Sequence, residues 1–198
     1  MGPPPRQKLT QYVRAEAQRL GFDLVGITSA GPLEAAAFNA QWVAQGYAGN
    51  MAWLERNLNK RADPSLLVPG ARTVICLGMH YDPPQEAEPS TDKGPQGRMA
   101  RYARGDDYHD LIKSRLAQLW EGMQSEAGVD IGGRYYVDTA PVLERELAAR
   151  AGIGWWGKNT MLINRSVGSY FLLAEVITTA ELEYDSPATD HCGSCTRC

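Results

Sequence analysis

Tyr136-Val-Asp138-Thr-Ala-Pro141-Val142-Leu-Glu144-Arg145-Glu-Leu-Ala-Ala-Arg150-Ala151, continued by Gly152-Ile-Gly154-Trp155-Trp156-Gly157-Lys158-Asn159, is the stretch on which the reading of this chain turns. A short apolar strand ends at Val137, and an acidic residue stands where strand becomes helix. The helix expected over 142–151 then runs into glycines and tryptophans able to lie against a flat organic surface. That is the layout of a cofactor pocket. Asp138 has a plain alternative role, because a carboxylate just before a helix satisfies free N–H groups and the positive end of the dipole. Pro141 argues against it: at the first helical position it moves the cap to Ala140 and leaves Asp138 upstream, free for other work. Proton donation is the chemical alternative. At neutral pH it requires a carboxyl kept protonated by burial against an apolar face such as a corrin or flavin.

Downstream, Gly154, Gly157, Lys158 and Asn159 combine backbone N–H groups, a cation and an amide, which suits amide or phosphate groups on a cofactor tail. Trp155-Trp156 among glycines is equally core packing plus turns. Gly-Ile-Gly-Trp-Trp-Gly has the letters of a dinucleotide fingerprint, but it follows a helix and does not link a strand to one. Residues 161–163 and 170–177 read as strands flanking a hairpin-like turn with Gly168. Residues 181–190 read as a linker into Cys192-Gly-Ser-Cys195-Thr-Arg-Cys198. The C-x2-C-x2-C spacing matches the opening of a bacterial iron–sulfur run. Zinc ribbons usually separate two cysteine pairs, so the cluster reading is favoured over zinc, and a fortuitous tail ranks below both. His191 is a minor substitute ligand. Because the run stops at three cysteines, the chain is expected to be the N-terminal part of a longer protein.

Upstream, the apolar spacing predicts helices over 8–20, 33–46 and 51–61, and strands over 22–28 and 73–77. The third helix is expected to end at Asp63-Pro64, since the residue before proline is pushed out of helical geometry. Cys76 is expected as a buried core thiol. Residues 82–97 read as a surface loop, a lid or a plain insertion. From Tyr108 the stripe Tyr108, Leu111, Ile112, Arg115, Leu116, Leu119, Trp120 and Met123 predicts the clearest helix, capped by Asp106 or Asp107. His109, without a spaced partner, reads as a hydrogen-bonded or surface histidine. The alternation of elements indicates a mixed α/β domain.

The 198 residues suffice for one sizeable core. A net charge of −3 excludes the overall basic footprint of a nucleic-acid binder. The local clusters Arg56/Lys60/Arg61 and Arg98/Arg101/Arg104 are equally solvated faces. No apolar run is long enough for a membrane span, and the first residues lack the apolar core of a secretion signal, so cytoplasm is the default.

Five segments taken together resemble epoxyqueuosine reductase, the cobalamin and iron–sulfur enzyme family that completes queuosine modification of tRNA. They are Met51–Leu54 with Arg56-Asn57 and Lys60–Pro64; Arg101–His109; Val137–Arg145; Gly154–Thr160; and Cys192–Cys198. The resemblance covers nearly the whole chain from about Leu9. It implies an α+β fold, a mixed α/β sandwich like the cobalamin-binding domain of reductive dehalogenases, over residues 1–180. A linker and the start of a ferredoxin-type 4Fe-4S module would occupy 181–198. It further implies Asp138 as the proton donor, and Arg61, Arg101, Asp138, Asn159 and Leu162 bordering the cobalamin. Cys192, Cys195 and Cys198 would bind the first cluster, and Glu144 and Arg145 would contact substrate. The implied partners are tRNA bearing epoxyqueuosine in the anticodon and an electron donor, with no membrane and a monomeric state. Another corrinoid reductase of dehalogenase type, or an electron-carrier or zinc-binding module, is the alternative.

Overall fold

Two strands thread the centre of the molecule, β2 (Thr73–His80) and β6 (Phe171–Thr178). Their runs of β-branched and aliphatic residues suit strands covered on both faces, and all of β2 except His80 is buried. The computed structural model describes residues 6–81, 97 and 99–197. β1 (Leu24–Ser29) pairs with β2, and β3 (Gly133–Tyr136) pairs with β6. The sheet therefore runs β1-β2-β6-β3 and is antiparallel throughout. Helix alternates with strand along the chain, yet among the described residues no pair of strands is parallel, and the class is α+β.

One face of the sheet is covered by α1 (Arg6–Arg19) and α4 (Tyr108–Ala127). Leu9, Val13 and Ala17 of α1 meet Ile112, Leu116, Leu119 and Met123 of α4 over Ile75, Leu77 and Val176. Asp107 caps α4 through the His109 N–H, and Gly128 ends it at φ 61°. The expected α4 stripe holds with one departure: Leu111 is exposed.

The other face carries the site. α5 (Glu144–Arg150) and a small hairpin of β4 (Trp155–Trp156) and β5 (Leu162–Ile163) pack there on Val74, Cys76, Phe171 and Ile177. α5 starts two residues later than expected and is capped by Leu143, so Pro141 lies in the preceding loop and not at the first helical position. The strands expected to flank the 164–169 turn also part company. Asn164 and Gly168 do close a turn, but β5 pairs back with β4 while β6 enters the main sheet. Gly154 permits this, because a Cβ there would lie 2.4 Å from Ile163 O.

α2 (Ala36–Ala44) lies where the second helix was expected. The third expected helix is broken: Ala52–Leu54 forms a 3-10 turn, Asn57 takes φ 62°, and only α3 (Leu58–Ala62) is α-helical. Asparagine tolerates the left-handed region that a continuous helix excludes. Residues 82–96, where the surface loop was expected, lie outside the described residues, as do Arg98 and Cys198. Among the described residues no helix is long and apolar enough to cross a membrane.

The 181–190 segment has no regular structure but is tied to the body. Leu182 is fully buried, Arg14 binds both oxygens of Asp185 at 2.7 Å, and Asp185 exchanges hydrogen bonds with the Ile27 backbone on the edge strand β1. An otherwise unpaired sheet edge is thereby occupied.

Gly26 of β1 sits under the C-terminal end of α5, where a Cβ would come within 2.3 Å of Ala151 O. Gly26→Ala is expected to force α5 off the sheet, destabilising the protein by about 1–3 kcal/mol in urea denaturation. Unchanged stability would show that α5 is free to shift.

Candidate active site

Beyond β3 the chain reverses in a three-residue turn. The Thr139 N–H donates to Val137 O at 2.6 Å, and Asp138 between them has φ 56°. Such conformations cost about 1–3 kcal/mol for a non-glycine residue and persist only where the surroundings enforce them. Two contacts enforce this one. The Tyr108 hydroxyl donates to Asp138 Oδ2 at 2.9 Å, and the Asp138 N–H donates to Glu144 Oε1 at 3.1 Å. His109 stacks on Tyr108 with ring centroids 4.1 Å apart, binds Asp107 Oδ1 through Nδ1 at 2.8 Å, and brings Nε2 within 3.8 Å of Asp138 Oδ2. The lone histidine of the sequence reading thus belongs to the setting of Asp138.

Asp138 opens onto a cavity of about 260 Å³ lined by Leu162, Phe171, Leu172 and Leu173 together with Tyr108, Glu144, Arg145 and Met161. The sequence reading expected a buried carboxyl. The side chain of Asp138 is instead 62% exposed, because the turn throws it outward from β3. The more enclosed carboxyls are two others, one half-buried and one wholly buried. Glu144 is pushed up to about 7, first by burial and then by the Asp138 charge. Glu175 on β6 is wholly buried, neither carboxyl oxygen has a hydrogen-bond partner, and burial followed by the charges of Glu144 and Asp138 raises it well above the ordinary carboxylate value. Glu175 stands opposite Cys76 on one side and Tyr136 on the other, and the Tyr136 hydroxyl is also buried without a partner. Burial raises Tyr108 too, reinforced by its bond to Asp138, so it stays a hydroxyl donor. The signal for Glu175 was present in the sequence, as one acid inside Phe-Leu-Leu-Ala-Glu-Val-Ile-Thr.

The other predicted residues are partly gathered. Leu162 is buried and lines the Asp138 cavity. Arg101 lines a neighbouring cavity of about 450 Å³ with Tyr81, Tyr102, Arg104 and Tyr170, its guanidinium 5.2 Å from the Tyr170 ring centroid. Tyr102 packs edge-on against Tyr108 at 6.4 Å, which joins the two cavities. Arg61 and Asn159 line neither. Arg61 is buried over the Trp53 ring, its Nε is without a hydrogen-bond partner, and burial lowers its pKa. Asn159 stabilises its own turn by accepting from the Met161 N–H. Lys158 also has a use other than the one expected, donating to Gly193 O at 2.6 Å and Cys195 O at 3.1 Å.

That contact positions the cysteines. Cys192 and Cys195 lie in one turn closed by the Cys195 N–H onto Cys192 O, with Asp190 holding the Cys192 N–H and Trp155 meeting His191 edge-on at 5.0 Å. Both are free thiols. Two soft sulfur donors in one turn fit part of an iron–sulfur site, although the described residues gather no set of three metal-binding side chains. The apolar residues lining the cavity fit one face of a flat ring. The unpartnered Arg61 Nε fits a polar substituent that accepts a hydrogen bond.

A family model described as epoxyqueuosine reductase QueG, DUF1730, matches residues 61–139. An epoxyqueuosine reductase from Cyclobacterium marinum is 43% identical over 194 residues, which are 97% of this chain and 61% of that protein. One from Escherichia coli is 40% identical over 96% of this chain and 50% of its own length. The chain thus spans between half and three-fifths of these relatives. Among solved structures, an epoxyqueuosine reductase with an epoxyqueuosine-modified tRNA-Tyr stem loop superposes with a TM-score of 0.84 at 33% identity, over 96% of this chain and 50% of that one. A Bacillus subtilis epoxyqueuosine reductase with its catalytic aspartate loop swung out of the active site gives 0.82 at 31% identity, with the same coverage. A reductive dehalogenase described as B12-dependent shares the fold, with a TM-score of 0.59 at 17% identity over 96% of this chain and 22% of its own.

Glu175 binds its proton more tightly in the folded than in the unfolded chain. Its contribution to stability is therefore whole below the ordinary carboxylate value of 4.5 and is lost as pH rises above it. Glu175→Gln is expected to flatten the fall in stability between pH 5 and pH 8, read as urea midpoints at the two pH values. Parallel slopes in variant and wild type would mean that Glu175 titrates normally.

Proposed function

The chain belongs to the epoxyqueuosine reductase family, and from that premise we propose that it supplies the pocket in which epoxyqueuosine, at the wobble position of tRNA, is reduced to queuosine. The observation that carries the reading is Asp138, held in a strained turn by Tyr108 and Glu144 at the mouth of a cavity lined by both apolar and ionisable side chains. Strain maintained by specific partners is a mark of functional sites.

In this reading Leu162 supports a cobalamin over the cavity, with Arg61, Arg101 and Asn159 toward its periphery, and Cys192, Cys195 and Cys198 hold a 4Fe-4S cluster. When bound, these groups would supply the electrons of the reduction. Asp138 delivers a proton to the departing epoxide oxygen while Tyr108 fixes the carboxyl; a ring seated over the cavity would cover this exposed side chain and supply the burial that keeps it protonated. His109 buttresses Tyr108 by stacking. Arg145, tethered to Thr160 O and 5.7 Å from the Trp156 ring centroid, holds α5 against the β4–β5 hairpin and faces the substrate side of the cavity. The hairpin links cavity and cluster: Leu162 and Met161 line the pocket, while Trp155 and Lys158 grip the cysteine turn. The partners are tRNA carrying epoxyqueuosine and an electron donor, the setting is the cytoplasm, and the working unit is a monomer.

Asp138→Asn keeps an acceptor for Tyr108 and a side chain that tolerates positive φ, but it has no acidic proton. In the cofactor-loaded full-length protein it is expected to take up cobalamin as the wild type does, by visible absorption, and to lose about 10²–10⁴-fold in turnover of epoxyqueuosine-containing tRNA. Undiminished turnover would remove Asp138 from the chemistry.

A further inference from the structure

Turning an epoxide into an alkene breaks both carbon–oxygen bonds and releases the oxygen as water. Each turnover therefore consumes two electrons and two protons. The electrons come from the reduced corrinoid and cluster named above, and Asp138 carries one of the protons. Resting on that reading of the site, we propose that Glu144 is its second acid, delivering into the same cavity the proton that completes the water molecule.

Glu144 opens α5, lines the cavity together with Asp138, and is joined to it by the 3.1 Å contact from the Asp138 N–H to Oε1. That contact uses an acceptor only. A protonated Glu144 keeps one oxygen on the Asp138 N–H and turns its O–H toward the substrate. The groups facing this corner are Asp138 from the strand end, Tyr108 and His109 from α4, Cys76 from β2, Glu175 from β6, and Arg145 from α5 itself. The cation among them is directed elsewhere, to Thr160 O and the Trp156 ring. Burial and the Asp138 charge outweigh its pull and put the carboxyl at about 7, where acid and base forms are both populated at neutral pH. Two acids facing one cavity, an exposed Asp138 and a half-buried Glu144, match two successive protonations of one oxygen: the first as the ring opens, the second as the hydroxyl departs. The value of about 7 already includes the Asp138 charge, so it describes Glu144 after Asp138 has given up its proton, and the two protons are delivered in sequence.

The plain alternative is that Glu144 only anchors the Asp138 turn. Glu144→Gln separates the two roles, since the amide oxygen still accepts the Asp138 N–H while the acidic proton is gone. In the cofactor-free protein, infrared difference spectra across pH 5–9 are expected to lose one carboxyl band titrating near neutrality in the variant. A band that persists overturns the assignment. In the cofactor-loaded full-length protein, wild-type kcat is expected to fall as pH rises through about 7. The variant is expected to be about 100-fold slower and flat over that range. Wild-type turnover matched in rate and pH profile by Glu144→Gln overturns the role alone. A wild-type protein that takes up cobalamin yet never converts epoxyqueuosine overturns the reading of the site, and this role with it.

Discussion

The hydrogen bond from the Asp138 N–H to Glu144 is the contact on which the pocket depends. β3 ends one residue before Val137, which is buried, and the next residue must leave the sheet at once for α5 to cross the face. A turn with positive φ achieves this in a single step, at a cost of about 1–3 kcal/mol. The Glu144 carboxyl and the Tyr108 hydroxyl offset that cost. They come from α5 and α4, so the turn is set by helices on opposite faces of the sheet. Register completes the arrangement: Tyr136 opposite Glu175 fixes where β3 stops, and so where Asp138 emerges.

The electrostatics follow from placing three carboxyls on an otherwise apolar face. Cys76, Phe171, Leu173 and Ile177 give Glu175 and Glu144 little solvation, and an unpaired charge in such surroundings is expensive. The acids therefore grade from exposed at the mouth, through half-buried Glu144, to wholly buried Glu175, and the inner two retain protons more readily than carboxyls in water. Replacing Glu175 with an aliphatic residue would improve the core by ordinary packing criteria. A sheet that keeps an acid there, beside a tyrosine hydroxyl with no partner of its own, carries a local destabilisation of the kind found at functional sites.

Much of this was legible in the chain. Apolar periodicity located α1, α4, β2 and β6, because a buried stripe on each helix and nearly continuous burial along each strand leave a clean pattern. Asp138 stood out as an acid at a strand end, and the cysteine spacing marked its own chemistry. The failures have local causes. Helix 51–61 breaks because Asn57 accepts a left-handed backbone, which its neighbours' apolar spacing does not reveal. The expected hairpin divides because Gly154 admits β5 against β4, a close approach that only coordinates display. The expectation of a buried Asp138 assigned burial by chemical need, whereas the turn geometry gives that burial to Glu144. Glu175 went unremarked because a single acid in an apolar strand leaves the strand pattern unchanged.

The segment after β6 extends the same logic to the cysteines. Left to itself, a run from Glu181 to Asp190 rich in small and acidic residues would wander, and the cysteine turn at its end would have no fixed relation to the pocket. Leu182 in the core, the Arg14–Asp185 pair on the β1 edge, and the Ala188 N–H on Ala149 O pin it at three successive points. The chain is thereby delivered to the outer side of the β4–β5 hairpin, where Lys158 and Trp155 receive the cysteine turn, while Leu162 on the facing strand lines the cavity. Electron transfer weakens steeply with distance but tolerates an intervening protein layer. Proton transfer requires hydrogen-bond contact. On the proposed reading, a thin hairpin between cysteines and cavity, with acids directly on the cavity wall, would meet both requirements, and the reason lies in sequence: Gly154 and Gly157 bring Ile163 close enough that two short strands suffice as the partition.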